Sequence, residues 1–380
     1  METANRVPRD KFLPVSRADM DRRGWDELDF LLITGDAYVD HPSFGHAIIA
    51  RWLERKGYRV GIVSQPDWRS TEDFARMGRP RLGVMLSAGN LDSMLNHYTA
   101  SGKPRRGDDY TPGGAAGKRP DRATLVYCNR VRELWKDVPL IIGGIEASLR
   151  RMVHYDYWSN SVRRSLLADS RADLLVFGMG ELASGEIADA LADGVPVSEI
   201  RNVNGTCWKT HDPQHAADAV SLPSFEEASA DKRKFAEAFR LYYLEQDAIR
   251  GRRLVQDQGA WLVVQNRPAR PLTTKEMDEV YSLPYARAWH PDYDAAGGVP
   301  AFDEVRFSIT SHRGCYGECG FCALSSHQGR IIQRRSDESM VAEARRFTKM
   351  KDFKGYISDV GVPISNFLEP ACPEQLKRGA

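Results

Sequence analysis

The chain has 380 residues, 42% hydrophobic and 28% charged, with a formal net charge of +1. This describes a globular protein with room for two domains, and the near-neutral balance gives no general reason to expect nucleic acid or an acidic membrane as partner. No apolar run approaches the roughly 20 residues of a membrane span, Met1–Arg6 lacks a signal peptide's apolar stretch, and six cysteines with three of them inside residues 315–322 do not form a disulfide framework. A cytoplasmic location is expected.

In chain order, residues 28–200 alternate short apolar strands with amphipathic helices. The strand candidates are 28–34, 59–64, 82–87, 139–142 and 173–177, and the helices between them include 45–56, 123–135 and 181–193. This alternation predicts an α/β, Rossmann-like parallel sheet covered on both faces. Several strands run directly into glycine turns, Thr34-Gly35-Asp36, Ile142-Gly143-Gly144 and Phe177-Gly178-Met179-Gly180. In open parallel sheets the ligand crevice lies beyond these carboxyl ends.

Residues 101–132 are locally basic but interrupted by Asp108, Asp109 and Asp121, which predicts a solvated loop. Within it, Pro112-Gly-Gly-Ala-Ala-Gly-Lys-Arg119 imitates a phosphate loop. Its spacing is one residue short, Arg119 replaces the serine or threonine, and no strand precedes it, so a flexible loop is expected. Phe235, Phe239, Tyr242 and Tyr243 recur at helical spacing and predict core packing. The five prolines of 267–300 suit an extended connector. The expected division is therefore 1–225 for the sheet domain, 226–300 for a helical segment and connector, and 301–380 for a second unit. That unit opens with an alternating strand, 304–310, continues past Ser336 as the N-cap of a helix over 339–350, and returns as a strand at 355–360.

Directly after strand 304–310 comes Cys315-Tyr-Gly-Glu-Cys319-Gly-Phe321-Cys322. Spacings of three and two let one loop place three thiolates around a cuboidal iron–sulfur cluster, leaving one iron open. Gly314, Gly317 and Gly320 let the backbone pass close to the cluster. Backbone N–H groups offset its negative charge, and Arg313 adds to that effect. Two alternatives remain open on the spacing alone. Zinc could use the three cysteines with His312 or His327, and a fourth thiolate for an electron-transfer cluster could come from Cys372, Cys128 or Cys207. Cys128 and Cys207 otherwise look like inert core thiols.

The run His312-Arg-Gly-Cys-Tyr-Gly-Glu-Cys-Gly-Phe-Cys-Ala resembles the YgiQ-type branch of the radical S-adenosylmethionine (radical SAM) proteins. Pro271-Leu-Thr-Thr-Lys-Glu-Met-Asp278, Leu283-Pro-Tyr-Ala-Arg287, Gly143-Gly-Ile-Glu-Ala-Ser148, His154-Tyr-Asp-Tyr-Trp158 and the segment 172–181 are similar to it as well, so the likeness runs from about residue 12 to Gly361. The resemblance implies a cobalamin-binding-like front domain followed by the start of a partial (β/α) barrel. It implies a 4Fe–4S cluster on Cys315, Cys319 and Cys322, S-adenosylmethionine on the open iron with Phe321 against the adenine, and Gly361 near the methionyl amine. A one-electron donor such as a flavodoxin or ferredoxin and an unknown substrate complete the implied reaction, reductive cleavage to a 5′-deoxyadenosyl radical. The cobalt-ligating aspartate-x-histidine pattern is absent, since Val39 stands two before His41. At roughly 30 residues per βα unit, residues 304–380 supply only the opening of the barrel, and the run after Gly361 departs from the family. A C-terminally truncated member is expected, either active or a non-catalytic remnant serving as a binding module.

Overall fold

A computed structural model describes residues 7–361, 367, 372 and 374–379. Its centre is a nine-stranded sheet. In chain order the strands are β1 (Phe30–Thr34), β2 (Val60–Ser64), β3 (Gly83–Ser87), β4 (Leu140–Gly143), β5 (Leu174–Val176), β6 (Thr206–Thr210), β7 (Val220–Ser221), β8 (Leu254–Asp257) and β9 (Leu262–Gln265). Across the sheet they run β7-β8-β9-β6-β5-β4-β3-β1-β2. All five predicted strands are present, and they form the parallel half, with Leu32 opposite both Ile62 and Met85.

Strand residues are apolar without interruption because both faces are covered. Leu31, Ile33, Val84, Leu86, Leu140 and Ile142 enter the core on one face, while Phe30, Leu32, Ile62, Met85 and Ile141 enter the other. This follows the two-residue period of a strand. Helices α1 (Gly45–Arg55), α2 (Ala123–Leu134), α3 (Gly144–Leu149) and α4 (Glu181–Ala192) cover the faces, within a residue or two of the predicted spans where one was predicted. Cys128 and Cys207 are both buried in the core, where burial pushes each thiol up to about 12.

Beyond the predicted strands the sheet continues with antiparallel ones: β6 runs antiparallel to β5 and β9, and β8 and β9 form an antiparallel pair past residue 225. Several expectations are corrected. The proline-rich stretch is not an extended connector. It contains α6 (Thr274–Ser282), opened by a capping box between Thr273 and Glu276, and Ala288–Trp289 pairs with Val39–Asp40 of the front domain. Met277, Val280 and Tyr281 of α6 pack with Ile48 of α1. In α5 (Lys232–Leu244) only Ala238 is buried, and Phe239 is 56% exposed, so that aromatic stripe is not uniformly core. In the second unit, residues 300–305 are helical and the strands shorten to β10 (Ser308–Thr310) and β11 (Asp359–Gly361), paired in parallel. Ser336 caps α8 (Asp337–Phe347) as expected.

The basic loop is also different from its prediction. Arg119 is fully buried, 3.0 Å from both Asp36 and Asp108, and it donates to the Ala88 carbonyl. It pins the loops after β1 and β3 together rather than waving in solvent. Burial raises the Asp36 carboxyl to about 6 against the opposing pull of Arg119. Removing the cation leaves two carboxylates buried and unbalanced. Arg119→Ala should therefore lose about 3–5 kcal/mol of stability in urea unfolding, whereas Lys118→Ala beside it, on the exposed surface, should change little.

Candidate functional site

The cysteine loop hangs between two fixed ends. At its start β10 pairs with β11, and the Ser311 N–H donates to the Gly361 carbonyl at 3.1 Å. His312–Arg313 then pairs antiparallel with Gln333–Arg334. At the loop's base the Gly314 N–H donates to Gln328 Oε1 and the Cys315 N–H to the Gly329 carbonyl at 3.0 Å. Helix α7 (Leu324–Gln328) carries the chain back. Gly314 has φ +90°, and a Cβ there would stand 2.3 Å from the Ile331 carbonyl oxygen, so only glycine closes this base.

The sulfurs of Cys315 and Cys319 converge over Gly317. A Cβ on Gly317 would be 3.4 Å from the first and 3.8 Å from the second, and the Gly317 N–H points to Cys315 Sγ at 3.4 Å. Cys322 is joined by its N–H to the Cys319 carbonyl at 2.9 Å. Cys319 is exposed, Cys315 and Cys322 are half-buried, and Phe321 is 91% exposed beside them. The geometry of this loop fits a cluster: two thiols face a common space, their backbone is slimmed by glycine, and the outer side is open. Among the described residues, no three His, Cys, Asp or Glu side chains close around a single metal ion. His312 bonds Ser311 Oγ at 2.8 Å, and His327 bonds Ser148 Oγ at 3.0 Å, so both imidazoles have partners other than the thiols. Gly361 is buried at the end of β11, one strand from the loop's origin. The run after Gly361 falls largely outside the described residues.

Arg313 does not offset charge at the loop, as its position two before Cys315 suggested. Its guanidinium is fully buried, ion-paired with Glu181 at the first turn of α4, and it donates from Nε to the Tyr281 hydroxyl at 3.1 Å. The pair ties the cysteine loop to Gly178–Glu181, beyond the end of β5. A second link runs through His327 of α7. Ser148 Oγ on α3 accepts from the Gly178 N–H at 3.0 Å and is hydrogen-bonded to His327 Nδ1 at 3.0 Å. Burial, with Arg151 and Arg313 nearby, lowers His327 to about 4 and keeps it neutral near pH 7. Tyr281 was not singled out from the sequence, His327 was named as an alternative zinc ligand, and Ser148 and Glu181 stood only as members of runs similar to the family. The glycine turns at 143–144 and 178–180 pointed to this edge of the sheet.

The Asp40-His41 pair is occupied structurally. Asp40 is ion-paired with Arg51, and His41 Nε2 lies 3.3 Å from Arg287.

Residues 12–308 match the family described as Radical SAM N-terminal. The chain belongs to that family, in its YgiQ-type (UPF0313) branch. A UPF0313 protein of Clostridium botulinum (strain ATCC 19397 / Type A) is 57% identical over 368 residues, covering 97% of this chain and 57% of the relative. A UPF0313 protein of Clostridium perfringens (strain ATCC 13124) is 55% identical over 371 residues, covering 97% and 56%. The chain thus spans a little over half the length of these curated relatives. Two structures of the radical S-adenosylmethionine methyltransferase TsrM from Kitasatospora setae overlap it with a TM-score of 0.40 and 16% identity. One covers 84% of this chain and 46% of TsrM, the other 85% and 47%. Among the described residues, no helix is long and apolar enough to cross a membrane.

Two outcomes follow from the docking contacts. Glu181→Ala leaves the Arg313 cation buried and unpaired, so it should cost about 3–5 kcal/mol in urea unfolding and speed proteolysis within residues 313–330. His327 has its pKa lowered on folding from 6.5 to about 4. The folded chain therefore binds fewer protons in that window, and the stability contributed by this residue is lost as pH falls through it. His327→Gln should show a smaller acid loss of unfolding free energy over the same window than the unaltered chain.

Proposed function

We propose that the chain holds a 4Fe–4S cluster on Cys315, Cys319 and Cys322, with the remaining iron open to S-adenosylmethionine. The observation that carries this reading is the convergence of the Cys315 and Cys319 sulfurs over Gly317, on a loop open to solvent and pinned at its base. When bound, cluster and cofactor supply one-electron cleavage of S-adenosylmethionine to methionine and a 5′-deoxyadenosyl radical that takes hydrogen from a substrate.

The chain's own residues hold and orient. Gly317 keeps the loop's inner side clear of a side chain. Phe321, 91% exposed, is the aromatic that would lie against the adenine, and Gly361, at the end of the strand paired with β10, is the residue that would lie near the methionyl amine. Arg313 and Glu181 set the loop's distance from the front sheet. Cys319 on the exposed side leaves a short path for an electron from a flavodoxin or ferredoxin.

Anaerobic reconstitution tests the reading. Cys315→Ser, Cys319→Ser and Cys322→Ser should each strip most of the bound iron and abolish 5′-deoxyadenosine formation, while Cys372→Ser should leave iron content unchanged. Full iron binding without any 5′-deoxyadenosine would reduce the chain to a binding module. Loss of iron in Cys372→Ser would replace the open corner with a fourth thiolate.

A further inference from the structure

The parallel strands lie in the order β5-β4-β3-β1-β2, so the direction of winding reverses between β1 and β3. Doubly wound sheets bind ligands outside the carboxyl ends at this reversal. There the chain has a cavity of about 140 Å³, reached by Leu32 and Ile33 of β1 and by Met85 and Ser87 of β3. An apolar cavity of about 150 Å³ holds one benzene-sized group.

The walls define the ligand's chemistry. Ile48, Ile49, Met85, Ile141 and Val176 make most of the surface apolar. Glu181 lines the same cavity and is 1% exposed. Its Oε1 is taken by Arg313, whereas its Oε2 is buried without a hydrogen-bond partner among the described residues. A buried carboxylate oxygen in that state calls for a donor. His46 and His327 also reach the cavity, and burial lowers them to about 3 and about 4, so both are neutral near pH 7. The Glu181 charge is already balanced by Arg313. A charged ligand would lose its hydration and find no free counter-charge.

We propose that this crevice is a binding site for a neutral, mostly apolar small molecule that donates an N–H or O–H to Glu181 Oε2. The crevice adjoins the cluster reading above through His327, which lines it from the helix that follows the cysteine loop. The crevice as a binding site does not itself require the cluster.

Phenol is a fitting probe, with anisole as the same ring lacking the donor and benzamidinium as a cation. Titrated into the full chain and followed by ligand-detected NMR, phenol should bind saturably and anisole roughly tenfold more weakly, the scale of one lost hydrogen bond. Benzamidinium should not bind. Ser184→Leu, which fills the cavity from α4, should abolish phenol binding. No saturable phenol binding, equal binding of phenol and anisole, or unchanged binding in folded Ser184→Leu would each overturn the proposal. The anisole comparison decides the matter even where Ser184→Leu fails to fold. Iron content measured on the same samples separates the two readings. Iron bound without phenol sinks the crevice alone, and phenol bound by iron-free protein supports the crevice while sinking the cluster.

Discussion

The buried ion pair between Arg313 and Glu181 is the constraint on which the site's arrangement depends. Neither group touches solvent to any useful degree, so neither tolerates loss of the other. The pair joins residues far apart in sequence: one opens the cysteine loop, the other opens a helix at the carboxyl edge of the front sheet. Because Arg313 stands two residues before Cys315, fixing its guanidinium fixes where the thiols begin. The Ser148 bridge between Gly178 and His327 fixes where the loop's returning helix ends. The loop adds contacts of its own, an ion pair between Glu318 and Arg330 and Tyr316 stacked on Phe367 at 4.1 Å, while Cys319 stays exposed.

The same network explains how a proline-rich stretch becomes part of the site rather than a tether. Tyr281 of α6 accepts from Arg313, and Arg287 shares Glu343 with Arg335. Residues 267–300 thus form a layer between the front sheet and the second unit, held on one side by apolar packing with Ile48 and on the other by buried charge. Buried arginines suit this role because the planar fork can satisfy several acceptors at once.

What the sequence disclosed follows the strength of local signals. The strands over 30–34, 60–64 and 83–87 were legible because both faces are buried and the residues are apolar without a break. Strands Thr206–Thr210 and Leu254–Asp257 were not, since short antiparallel segments with Lys209, Gln256 and Asp257 carry little periodic signal and depend on neighbours distant in sequence. Prolines at 268, 271 and 284 correctly marked breaks but concealed a capped helix between them. Arg119 read as a solvent charge and Arg313 as a cation beside the cluster, because nothing in a linear string reveals a carboxylate that approaches from another element. The three cysteines were legible as a group, because their ligand spacing is local. Their attachment to the front domain was not.

The central claim is that three thiolates on one loop leave a single iron open beside the front sheet. Mössbauer spectroscopy of the full chain, reconstituted anaerobically with isotopically labelled iron, tests it most directly. Adding S-adenosylmethionine should alter the signal of one iron subsite and leave the others unchanged. A cluster whose irons all ignore the cofactor, or a loop that takes up no iron at all, would contradict it.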